Sequence, residues 1–91
     1  MTIYVLIHEC GEYSDHTNHV VRAYRTVGAA RRAVVRATEL GHFVVDRYGL
    51  VDLHKKRNDS PEVRELLALD PGFDWDSSGF NYYYAECELS D

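Results

Sequence analysis

Ninety-one residues, 45% of them apolar and 27% charged, suffice for one globular domain and exclude both a two-domain chain and an intrinsically disordered one. A net charge of −5 with a pI near 5.4 is the opposite of the basic footprint of a dedicated nucleic-acid binder. The longest unbroken apolar run is about five residues against the roughly 20 of a spanning helix, and the first residues lack a signal peptide's basic region and cleavage site, so a cytoplasmic protein with no membrane role is expected.

In chain order, Thr2 to Cys10 is rich in β-branched and aromatic residues and is bounded by Gly11, which predicts a strand. Ile3, Val5 and Ile7 alternate with Tyr4, Leu6 and His8, so both faces are apolar, as in a central strand. Gly11 to Asn18 has the Gly, Ser, Asp and Asn chemistry of a turn, and His19 to Arg25 follows as a second strand with Val21 and Ala23 on one face. Thr26 is placed to cap a helix from about Val27 to Leu40, stopped by Gly41. On it Val27, Ala30, Ala33, Val34, Ala37 and Leu40 share one broad arc, and the small alanines imply close packing on the sheet.

His42 to His54 reads as a short hairpin split by Asp46-Arg47-Tyr48-Gly49, with an irregular first run as the alternative. After the charged loop Lys55–Asp59, Ser60-Pro61 supplies a cap and a first-position proline for a helix Pro61–Leu69 that buries Val63, Leu66 and Leu67. Asp70-Pro71-Gly72 ends it, and Phe73 to Gly79 is an acidic, aromatic loop. Phe80 to Leu89 is a strand with Tyr83, Ala85, Cys87 and Leu89 on one face and Tyr82, Tyr84, Glu86 and Glu88 on the other. The expected fold is one α+β domain with a small, mainly antiparallel sheet: hairpin, helix, short hairpin, short helix and final strand.

Charge is strongly segregated. Residues 1–21 sum to −3, residues 22–57 to +6 and residues 58–91 to −8. This is either a dipolar binding surface or two segments that face each other in the fold. Cys10 and Cys87 are expected to be reduced, although a bridge is geometrically open if the first and last strands are neighbours.

The richest donor cluster is His8, Cys10, His16 and His19. His8 and Cys10 point to one face of a strand, and the two later histidines could fold back over them, as four N/S donors around zinc require. No Cys-x-x-Cys pair accompanies them, and strand-end packing and surface histidines account for the same residues, so no metal or other cofactor is assigned. Nucleophile elbows, phosphate-cradling glycine loops and His-Glu-x-x-His are absent. The i, i+2 carboxylates Asp74/Asp76 and Glu86/Glu88 read as exposed acidic ends, which leaves no catalytic residue and no expected enzyme activity.

Binding is the remaining class. Asp74, Trp75, Asp76, Tyr82, Glu86 and Glu88 combine carboxylates with aromatic rings, as a contact surface for a basic or nucleic-acid-handling protein would. In the first turn Tyr13 is the candidate anchor, with Ser14 and Asp15 as polar contacts, or else all three serve the turn itself. The competing reading is a nucleic-acid accessory protein that uses Arg31, Arg32 and Arg36 on one helix face. A small zinc-binding domain is a second alternative, and a second copy of the chain is a further candidate partner.

Tyr4-Val5-Leu6, Gly11-Glu12-Tyr13-Ser14-Asp15 and Val20-Val21-Arg22-Ala23-Tyr24-Arg25-Thr26 before the Ala-rich helix, with Glu86-Cys87-Glu88-Leu89-Ser90-Asp91 at the end, resemble a group of small uncharacterised phage and bacterial proteins. The likeness covers roughly residues 3–40 and 80–91, with 42–79 looking like an insertion. It implies a β-β-α-…-β plan and a phage or mobile-element setting and carries over no catalytic residue. The absence of catalytic motifs, the charge segregation and the many Tyr and Trp side chains lead to the expectation that in such a setting the chain inhibits or modulates a host factor.

Overall fold

A computed structural model of the chain describes residues 1–11, 17–48, 60–73 and 79–90. It shows a small α+β fold with the order β1 (Thr2–Cys10), β2 (Thr17–Tyr24), α1 (Val27–Tyr48), α2 (Pro61–Leu69) and β3 (Phe80–Glu88). The three strands form one antiparallel sheet in the order β2-β1-β3, so the first strand is central, as its two apolar faces predict.

The even-numbered positions of β1 and β3 face the helices. Leu6, Tyr82, Ala37, Leu40, Val44, Val63, Leu66 and Phe73 make the core, and Tyr24, Phe80 and Val21 pack against it. Each fully buried Leu or Val there contributes roughly 1.5–3 kcal/mol from removed apolar surface. Ala30 and Ala37 are wholly buried, which lets α1 lie close on the strands.

Strand β2 starts at Thr17, two residues before the expected His19, and ends at Tyr24, and two larger details also depart from the sequence reading. The register of β2 on β1 slips between Leu6 and Ile7: Leu6 pairs with Arg22 while Ile7 pairs with Val20. Val21 is the extra residue of this bulge, and the slip turns it into the core while Ala23 is exposed. The expected shared face of Val21 and Ala23 is therefore not formed.

The second departure is larger. Helix α1 does not stop at Gly41 but runs to Tyr48, so His42–Tyr48 is helical and not the first arm of a hairpin; residues 49–54 lie outside the described segments. Val44 is completely buried and extends the Ala30, Ala37, Leu40 stripe by one more turn. Gly41 is present for a steric reason. A Cβ there would lie 2.3 Å from Cζ and 2.6 Å from Cε2 of Phe80, so only glycine lets that ring cross the helix.

Helix α2 follows its sequence signals closely. Ser60 is the N-cap and its Oγ accepts from the Glu62 N–H at 3.2 Å, with Pro61 at the first position. Its Oγ–H also donates to Glu62 Oε2 at 2.6 Å, which holds the Glu62 carboxyl below its ordinary range. At the other end Asp70 donates its N–H to the Leu66 carbonyl, and its own carbonyl accepts from Phe73. This tight end aims the Asp70 side chain back at the sheet.

The cysteines stand at opposite ends of the β1–β3 pair, Cys10 opposite Phe80 and Cys87 opposite Ile3, about 23 Å apart by strand rise. Neither is in a disulfide. Among the described residues, no helix is long and apolar enough to cross a membrane.

Candidate functional site

A polar cluster sits under the α2 end of the sheet. His8 on β1 and His19 on β2 are directly opposed in the register, and their rings lie 4.8 Å apart, tilted by 32°. On its other side His8 pairs with Tyr82 of β3. Its ring is held edge-on by Tyr82 at 5.1 Å and Phe73 at 5.6 Å, and it is 1% exposed.

Asp70 enters from α2 and is equally buried, a placement that an unpaired carboxylate would not tolerate. It is bonded on both oxygens. The Tyr82 hydroxyl donates to Oδ2 at 2.6 Å, and Nε2 of His19 lies 2.8 Å from Oδ1. An ionised carboxylate can only accept, which places the His19 proton on Nε2. Burial, reinforced by the adjacent Asp70 carboxylate, pushes the Tyr82 hydroxyl far above the usual phenol range, so it remains a donor at all ordinary pH. His19 alone of the group reaches solvent, with 38% of its side chain exposed, so the cluster has a single wet wall. Gly72 lies against that wall, where an added Cβ would come within 3.2 Å of His19 Nε2.

Of the four donors singled out in the sequence, His8 and His19 therefore do meet. Among the described residues the group whose ligand atoms all lie within 4.8 Å of one another is His8, His19 and Asp70, without Cys10; His16 lies outside the described segments. Asp70 escaped sequence reasoning because it is 51 residues from His19 and sits in an Asp-Pro-Gly run that reads as a helix terminator.

The predicted acidic aromatic surface is not assembled as expected. Tyr82 is 3% exposed and committed to Asp70, so it is core and not a contact residue; its strand face is the one the helices cover. Glu86 and Glu88 are exposed. Glu88 is engaged locally, accepting from Thr2 Oγ1 at 2.7 Å and from the amino group of Met1 at 3.0 Å, and both contacts lower its carboxyl's affinity for a proton. Asp74, Trp75 and Asp76, and Tyr13, Ser14 and Asp15, lie outside the described residues.

Arg31, Arg32 and Arg36 share an exposed stretch of α1, but not as a free cationic stripe. Arg36 reaches Glu65 of α2 at 2.6 Å and Glu39 at 3.6 Å, and Arg31 donates weakly to the Tyr84 hydroxyl at 3.4 Å. To this extent the basic middle of the chain faces its acidic last third.

The opposite face of the sheet is apolar, and neither described helix packs on it. The register aligns Ala85, Val5 and Ala23 in one row across the three strands, and Tyr83, Ile7 and Val20 in the next. Ile3 and Cys87 continue it, and the bond from the Leu89 N–H to the Met1 carbonyl adds Met1 and Leu89. Val20 is 63% exposed, Met1 70% and Leu89 48%. Charge stands at the two ends of these rows: Glu9, which accepts from Asn81 Nδ2 at 3.0 Å, and the Met1 amino group, paired with Glu88. Comparison with protein-family models, curated proteins and solved structures finds nothing that this chain matches.

Proposed function

We propose that the chain is a non-enzymatic protein-binding module whose contact surface is the sheet face that neither described helix covers, and that the protein it binds there is a second copy of itself. The observation that supports this reading is the continuous apolar strip Ile3, Val5, Ile7, Val20, Ala23, Tyr83 and Ala85 on the side away from both helices. Val20 and Ala23 are exposed, and Ile3, Val5, Ile7, Tyr83 and Ala85 each keep part of their surface in solvent; apolar residues grouped in this way, unlike scattered single ones, are what an interaction site requires.

Two features favour a second copy over a charged partner. The strip holds almost no charge, so an acidic or basic protein would find nothing to pair with. Its relief is also self-complementary. The row Ala23, Val5, Ala85 is low and the adjacent row Val20, Ile7, Tyr83 is high. A twofold axis between two facing sheets, running across the strands, seats each high row on the partner's low row, in the aligned packing usual for sandwiches. Three strands of nine residues or fewer offer a patch of roughly 400 Å² per copy, about 800 Å² in total and below the size of a stable specific interface, so association is weak and concentration-dependent.

Sedimentation equilibrium from micromolar concentrations up to about 1 mM tests this range. The wild type should move from monomer to dimer, and Val5→Lys, which puts a charge in the middle of the strip, should remain monomeric with unchanged circular dichroism. A wild type that is monomeric throughout, or a Val5→Lys dimer as tight as the wild type, refutes the reading.

A further inference from the structure

The structure assigns a second, independent site on the helix side of the sheet: we infer that His8, His19 and Asp70 bind one divalent first-row transition ion, with zinc as the reference ion. Two imidazole nitrogens and one carboxylate oxygen form a donor set that suits zinc and iron(II) and leaves positions for water or another ligand. Hard ions such as magnesium and calcium, which prefer all-oxygen shells, are poorly matched.

The geometry supports this beyond residue type. Two imidazoles on one zinc, with Zn–N distances of about 2.0–2.1 Å and near-tetrahedral angles, have ring centres roughly 5 Å apart. The His8 and His19 rings are 4.8 Å apart. Neighbouring ligand atoms around such an ion are roughly 3.3 Å apart, and Nε2 of His19 is 2.8 Å from Asp70 Oδ1. An ion that replaces the shared proton would need to spread that pair by only a few tenths of an ångström. The widest separation in the set, up to 4.8 Å, must contract by about 1.5 Å, and the half-exposed His19 side chain is the member with room to turn.

The outer shell is also in place. Tyr82 fixes the second carboxylate oxygen from behind, as hydrogen-bonded carboxylates in metal sites are fixed, and so presents Oδ1 to the histidines. Phe73 and Tyr82 wall His8 on two sides. The site lies between a strand pair and a helix end that are positioned independently of any ion, so binding should add to stability without being required for folding.

Metal-free protein is titrated with Zn²⁺ by calorimetry and with Co²⁺ by visible absorption, whose intensity reports four- or five-coordination. One equivalent of each is expected to bind, with a raised unfolding temperature. Affinity should fall by more than about tenfold in Asp70→Asn and in His19→Ala, the latter being half-exposed and able to fold without its ring. Glu86→Gln serves as an acidic control that binds like the wild type. No binding by the wild type would show that the cluster is only a hydrogen-bonded tie between α2 and the sheet, and wild-type affinity in folded His19→Ala would put the ion elsewhere; either result overturns the assignment.

Discussion

Replacing glycine by alanine within α1 should have opposite effects at its two glycines. In a helix interior the exchange ordinarily stabilises by about 1 kcal/mol, because alanine gives up less backbone freedom on folding. At Gly28 the new methyl would meet nothing nearer than the Arg32 guanidinium at 3.5 Å, an ordinary contact, so Gly28→Ala should gain a few tenths to about 1 kcal/mol. At Gly41 the same methyl would overlap three ring atoms of Phe80, at 2.3, 2.6 and 3.1 Å. That ring cannot simply swing aside, because Phe73, Tyr82 and His42 lie at centroid distances of 5.2, 5.7 and 5.1 Å. Overpacking of this kind costs about 1–3 kcal/mol and outweighs the helix gain, so Gly41→Ala should be net destabilised by about 1 kcal/mol. For a domain of this size that corresponds to roughly 4–8 °C in unfolding temperature. Urea unfolding of the two variants beside the wild type measures both signs, and Gly41→Ala/Phe80→Leu should recover part of the loss. A Gly41→Ala protein as stable as Gly28→Ala would refute the steric account of that glycine and of the helix extending through it.

Tyr82→Phe removes the donor to Asp70 Oδ2 and leaves a buried acceptor short of a partner, which should cost about 1–3 kcal/mol in chemical denaturation. Because the folded-state Tyr82 pKa is raised, its stabilisation is complete below the unfolded phenol's pKa near 10 and declines above it; a stability–pH curve should therefore fall less steeply above about pH 10 in Tyr82→Phe than in the wild type. Ser60→Ala deletes the α2 cap and should cost about 1 kcal/mol, read by the same unfolding assay. Leu66→Ala hollows the contact between α2 and the sheet side of the core and should cost about 2–5 kcal/mol, the largest loss among these single changes.

Local signals made much of this fold legible in advance. The Ser60-Pro61 start and Asp70-Pro71-Gly72 finish of α2, the alternation in β1 and β3, and the Thr26 cap of α1 depend only on neighbouring residues, and the structure has each where the sequence reading put it. What escaped reading depends on distant partners. Gly41 is a helix stop by propensity; that the helix runs on past it, and that the Phe80 ring, 39 residues on, leaves no room there for a Cβ, both depend on packing. The inward turn of Val21 is a register slip that no periodicity within β2 discloses. The pairing of His8 with His19 was within reach, since both stand on the two arms of the predicted hairpin; which turn closes it decides whether they oppose each other. Asp70 was out of reach, because nothing in a helix-ending aspartate foretells that it will be buried beneath two strands.

The central place of β1 also sets an order of events in folding. Its contacts with β2 close a short loop, whereas its contacts with β3 join residues 70 or more positions apart, such as Glu9 and Asn81, and so carry the larger loop-closure entropy. Tyr82 arrives with β3, so a chain that has formed only its hairpin and helices holds Asp70 without one of its two donors. Docking of the last strand and quenching of that carboxylate are then a single cooperative step, and slow exchange of the β3 amides with solvent should appear and vanish together with protection of the α2 terminus.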